Sequence, residues 1–172
     1  MENFLKNKKK RLNMDNEIRN IRNKIVKLAL LQHKKKYVHG SNGPKDFDCA
    51  GLVYYVYKEI LGVNVYEDGI GKSTTTKIMT NKKGDLIKIK EDYEEKDEII
   101  DTMQKGDIVF MHRQSLKAKT PKETNKYPGH CGIYIGNGKM IHATKSKGSV
   151  VISDLKKTKK WKKVLVGYKN ML

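Results

Sequence analysis

The sequence predicts an α+β domain, helices first and an antiparallel sheet after them. Apolar residues recur at helical spacing in the first third of the chain, and from residue 106 onward the period becomes two. With 172 residues and 37% hydrophobic side chains, the chain is long enough for one packed core. No stretch approaches the ~18 consecutive apolar residues of a membrane span.

Residues 1–14 read as a basic tail around Lys8-Lys9-Lys10-Arg11, and residues 15–172 as the folded domain. Ile18, Ile21, Ile25 and Leu28 predict a helix over 15–33, with Asp15 or Asn16 as cap and Glu17 in the first turn. A Gly- and Pro-punctuated loop, residues 37–44, then leads to Asp48-Cys49. Cys49, Leu52, Val53, Val56 and Ile60 share one face of a second helix, and Asp48 is a good N-cap. Residues 62–105 are mixed, with turn residues at 81–84 and an acidic run over 91–101. Strands are expected at 106–111, 130–135, 139–143, 150–152 and 164–168, with the basic run 156–163 around Trp161 separating the last two.

Charge narrows the function classes. The chain carries 37 Lys and Arg against 19 Asp and Glu, a net +18, and residues 1–36 hold +9 of it. Only four of the 37 are Arg: Arg11, Arg19, Arg22 and Arg113. Arg reads base edges and grips phosphate bidentately, whereas Lys is a point charge. The composition therefore fits diffuse attraction to a polyanion better than sequence-specific nucleic-acid recognition, or it reflects only the base composition of the gene. The basic start, residues 1–11, is followed by no apolar core of a secretory signal, so export without a signal peptide, or a leader absent from this chain, is expected.

Two cysteines, Cys49 and Cys131, make no disulfide framework, and no His, Cys, Asp or Glu set has metal-ligand spacing, so neither metal nor cofactor is expected. A helix start lowers a thiol's pKa through its backbone N–H groups and dipole, and a nearby His can accept the proton. Cys49 stands at such a start, although a lone cysteine there also serves as core filling. His33 ends a helix, His39 lies in the loop before Cys49, and His112 is expected to face solvent.

The surrounding motifs are more specific. Asp48-Cys49-Ala50-Gly51-Leu52-Val53, Gly106-Asp107-Ile108-Val109-Phe110, Gly129-His130-Cys131-Gly132-Ile133-Tyr134-Ile135-Gly136-Asn137-Gly138 and Met140-Ile141-His142-Ala143 stand in that order. Together they resemble the NlpC/P60 family of papain-like cysteine peptidases over residues 18–168. The resemblance implies a peptidoglycan hydrolase cutting the stem peptide between D-glutamate and the diamino acid, with action on the cell wall. It implies Cys49 as nucleophile, His130 as base, His142 as orienting group, and Tyr37 beside the thiol. Asp48 either binds a substrate amine or only caps its helix, and His39 is a candidate substrate contact. Ala50 stands where the family usually has Ser, and His39-Gly40-Ser41 where it has aromatic-Gly-Gly. Segments 62–105 and 112–128 look longer than usual.

Strand alternation puts His130, Gly132 and Tyr134 on one face and Cys131 on the other, so Cys131 is read as sheet-face packing. With Gly136-Asn137-Gly138 as a three-residue loop, Gly132 faces His142 and the two imidazoles become diagonal neighbours. A two-residue turn would separate them. The expectation is a monomeric cysteine endopeptidase with peptidoglycan and anionic wall polymers as partners. An amidase, deamidase or acyltransferase of the same fold, or a polyanion-binding protein with an idle thiol, are the alternatives.

Overall fold

In a computed structural model of the chain, residues 1–70, 73–89, 96–112 and 128–172 are described. Residues 113–127 of the insertion expected over 112–128, and part of the acidic run, lie outside them.

The first helix, α1, spans Glu2–Leu30, so it starts well before residue 15. Residues 2–14 contain neither Gly nor Pro, and their four Lys, Arg11, two Leu and Met14 propagate a helix already nucleated by a packed second half. Side chains 3–17 are exposed, and burial begins at Ile18 and is complete at Ile25 and Ala29. The helix gives way to turns at Leu31, and Lys34 takes a left-handed φ of 70°.

Helix α2, Cys49–Leu61, begins as expected. Asp48 caps it by accepting from the Gly51 N–H, and Gly62 closes it in the left-handed region. Gly51 allows the preceding loop to lie on the helix, because a Cβ there would stand 1.9 Å from the Ser41 carbonyl oxygen. Segment 62–105 then supplies α3 (Thr74–Thr80), β1 (Asp85–Lys88) and α4 (Lys96–Thr102).

The sheet follows: β2 (Ile108–Met111), β3 (His130–Gly136), β4 (Lys139–Thr144), β5 (Ser149–Asp154) and β6 (Leu165–Asn170). All paired strands are antiparallel, in the order β1-β6-β2-β3-β4-β5. Residues read as a basic separator form a short helix instead, α5 (Lys159–Val164). Central β2 is buried on both faces. Ile108 and Phe110 join Ile25, Leu52, Val53, Val56 and Ile78 from α1–α3, while Val109 and Met111 join Ile100, Met140 and Val164. The sheet is thus covered on both sides, the second by α4 and α5.

Arg22 ties α1 to the sheet, its guanidinium meeting Asp107 at 3.0 Å, the Lys105 carbonyl at 2.8 Å and Asn170 Oδ1 at 2.9 Å. Burial raises the Asp107 carboxyl above its ordinary range, against the opposing effects of the Gln104 N–H and Arg22. Among the described residues no helix is long and apolar enough to cross a membrane.

Candidate active site

Cys49 occupies the first turn of α2, where backbone N–H groups lack helical partners. Both oxygens of the Asp48 carboxylate are engaged below it, Oδ1 by the Gly51 N–H at 2.7 Å and Oδ2 by the Gly40 N–H at 2.9 Å. That pair fixes both the helix start and the loop carrying His39.

The imidazoles come from the neighbouring strands β3 and β4. Their hairpin differs from expectation in an informative way. Gly136 pairs with Lys139 across a two-residue turn, Asn137-Gly138, with φ of 54° and 69°, the combination a type I′ turn needs. Such a turn alone would put the two histidines on opposite faces. A register shift between Tyr134 and Gly136 absorbs one residue, so Tyr134 faces Met140 and Ile133 faces Ile141. The bulge thereby restores the expected facing of Gly132 and His142. Gly132 is required there, since a Cβ would lie 2.9 Å from the His142 Cβ and 2.8 Å from the Ile141 carbonyl.

His130 Nε2 lies 2.7 Å from His142 Nδ1, and His142 Nε2 lies 2.9 Å from Ser153 Oγ on β5. His142 is 1% exposed, and burial, reinforced by the nearby His130, pushes its pKa down to about 3. It is therefore a neutral imidazole at ordinary pH, with one nitrogen to accept and one to donate. If Nδ1 accepts from His130, Nε2–H donates to Ser153, and His130 Nδ1 is left for the thiol.

The Cys49 thiol is pulled well below its ordinary pKa. Its hydrogen bond with the Cys131 thiol acts most, burial opposes it, and the hydrogen bond and charge of His130 add to the lowering. Cys131 is fully buried on the α2 side of the sheet, as strand alternation predicts, and its own thiol is pushed well up by the same contact. Thr75 Oγ1 on α3 stands 3.9 Å from Cys49 Sγ.

Trp161 on α5 completes the other side. Its ring stacks near His130 at 6.4 Å and 20°, and meets His142 edge-on at 5.1 Å and 83°. A cleft of about 400 Å³ opens over these groups, lined among others by Tyr37, Cys49, His130, Lys145 and Trp161. His112, expected to face solvent, also lines it. His39 lies on an adjoining groove of about 460 Å³ with Tyr37 and Lys145.

Of the six residues singled out from the sequence, the fold brings Cys49, His130 and His142 together and puts Tyr37 on the same cleft. Asp48 is committed to backbone, and His39 stands one groove away. Trp161, Thr75 and Ser153 escaped the sequence reading, and Cys131 was read only as packing. The one available signal was Trp161, the single tryptophan of the chain, set in a lysine run. Among the described residues no group of three or more His, Cys, Asp or Glu is arranged to hold a metal.

A helix-start thiol facing paired imidazoles on a sheet is an arrangement in which an α+β domain could activate a thiol as nucleophile. The sequence profile of the NlpC/P60 family matches residues 34–170, and the chain belongs to that family. It is 28% identical over 133 residues to the γ-DL-glutamyl hydrolase of Bacillus subtilis, covering 77% of this chain and 25% of that protein. To a murein DD-endopeptidase of Escherichia coli it is 25% identical over 151 residues, 87% of this chain and 46% of that one. A solved NlpC/P60 family protein from Bacillus cereus superposes with a TM-score of 0.61 at 20% identity, over 88% of this chain and 40% of that chain. The chain thus spans a quarter to just under half the length of these curated relatives.

Proposed function

We propose that the chain is a cysteine endopeptidase that cuts an amide bond in the stem peptides of bacterial peptidoglycan, acting at the cell wall. The observation that carries this reading is the line Cys49–His130–His142–Ser153, in which a thiol of lowered pKa faces an imidazole oriented by a second, neutral one. The Cys49 thiolate attacks the amide carbonyl, and the oxyanion is received at the N–H groups opening α2. His130, having taken the thiol proton, gives it to the departing amine. It then takes a proton from water, which cleaves the thioester and frees the new carboxylate. His142 holds His130 in position and transfers no proton to substrate.

The bond we propose is the one between D-glutamate and the diamino acid. A relative named as a γ-DL-glutamyl hydrolase supports it, whereas another relative is named for a DD bond. Digestion of purified peptidoglycan followed by mass analysis of the fragments tests both levels. Fragments ending at D-glutamate are expected. Cleavage elsewhere in the stem would replace the bond assignment, and intact peptidoglycan with an active parent preparation would remove the reading.

A further inference from the structure

We infer that the first half of α1 is a docking arm for an anionic lipid surface. Residues 3–17 are exposed along a continuous helix, a segment of roughly 22 Å at 1.5 Å per residue. Phe4, Leu5 and Leu12 are 72%, 58% and 59% exposed there. At 3.6 residues per turn these three fall within a sector about 100° wide. Ile21, Ile25 and Leu28, which pack into the core, fall in another sector about 150° away around the axis. The exposed row is therefore no continuation of the seam that packs on the domain, and nothing in the described fold covers it.

Charge on the same segment specifies the occupant. Lys6 and Lys10 lie on the side away from the row, Lys9 borders Leu5, and Lys8 and Arg11 flank Phe4, Lys8 within the row's own sector, where long stems can run along an apolar surface and keep their charges in water. An apolar row backed by cations is the pattern of a helix lying in a bilayer interface, where anionic headgroups and the acyl boundary each take one face. A purely anionic polymer, such as a wall polymer or nucleic acid, is served by the cations and gives no role to Phe4, Leu5 and Leu12. The inference rests on α1 alone and is independent of the proposed activity.

Co-sedimentation of the full chain with vesicles tests it, using phosphatidylcholine alone and phosphatidylcholine with 30% phosphatidylglycerol, against a soluble anionic wall polymer. The parent is expected to bind the anionic vesicles and not the neutral ones. The triple variant Phe4→Ser, Leu5→Ser, Leu12→Ser should lose at least tenfold in vesicle affinity while keeping its polymer binding. Its urea unfolding transition should equal the parent's, showing that the domain is folded. A Lys6→Gln, Lys9→Gln, Lys10→Gln variant should weaken on both surfaces. Binding of the parent to polymer but not to anionic vesicles, or equal vesicle binding by the triple Ser variant, would overturn the inference.

Discussion

His142 is held neutral by burial down to about pH 3, so above that it keeps one nitrogen to accept and one to donate, as the proposed orienting role requires. His130→Ala is therefore expected to lower kcat/KM by about 10³-fold or more, since it removes the base. His142→Gln keeps an acceptor and should retain measurable turnover, and steady-state kinetics on a soluble stem peptide separate the two. Cys131 acts through the thiol itself. Its hydrogen bond is the largest cause of the lowered Cys49 pKa, so Cys131→Val should move thiolate formation to higher pH. The pH profile of iodoacetamide alkylation at Cys49 reads that shift directly. An unmoved profile would show that His130 alone holds the thiolate.

Helix α5 has a role that its lysines conceal. Trp161 packs edge-on against the buried His142 and stacks near His130, and the depressed pKa of His142 comes first from burial. Trp161→Ala should let that pKa rise toward the ordinary histidine range. Protonation of His142 would then remove the acceptor and add a loss of kcat on the acid side. Trp161→Phe should largely restore the parent profile, which a merely structural defect would not do. Such a helix was not legible because 159–164 is too short to show an apolar period. The same holds for α3, whose Thr74-Thr75-Thr76 start has poor intrinsic helix propensity. It is held by the Ser73 cap and by the buried Lys169 ammonium, which donates to the Ile78, Met79 and Asn81 carbonyls. Lys169 lies some 90 residues away, beyond any local pattern. By contrast the start and apolar face of α2 were legible, because the Asp48 cap and the residues of that face follow one another in the chain.

At the scale of the molecule, the α+β order could be read from local patterns and the facing of His130 and His142 from one register, whereas the approach of Cys49 to them was implied only by the family resemblance. The bulge before Gly136 could not, since Gly136-Asn137-Gly138 serves a three-residue loop and a bulged two-residue turn equally. Both place Gly132 against His142, and that packing excludes only the two-residue turn without a bulge. The start of α1 at Glu2 was not legible because a basic run without breakers looks alike whether helical or not. What holds α1 to the sheet is Arg22, and Arg22→Ala would leave Asp107 buried without its ion partner. Urea unfolding should show a loss of about 3–5 kcal/mol. The exposed Lys83–Glu67 pair, cut by Lys83→Ala, should change stability by no more than about 0.5 kcal/mol.

The account stands on Cys49 as the attacking atom. Rapid acid quenching of the protein mixed with a soluble stem peptide, followed by mass analysis of the digested chain, tests it most directly. The predicted result is an acyl group of the substrate on the peptide containing Cys49, released by hydroxylamine and missing in Cys49→Ala, which should be inactive. Turnover by Cys49→Ala at the parent rate, or activity that survives iodoacetamide and is lost in a chelator, would contradict it.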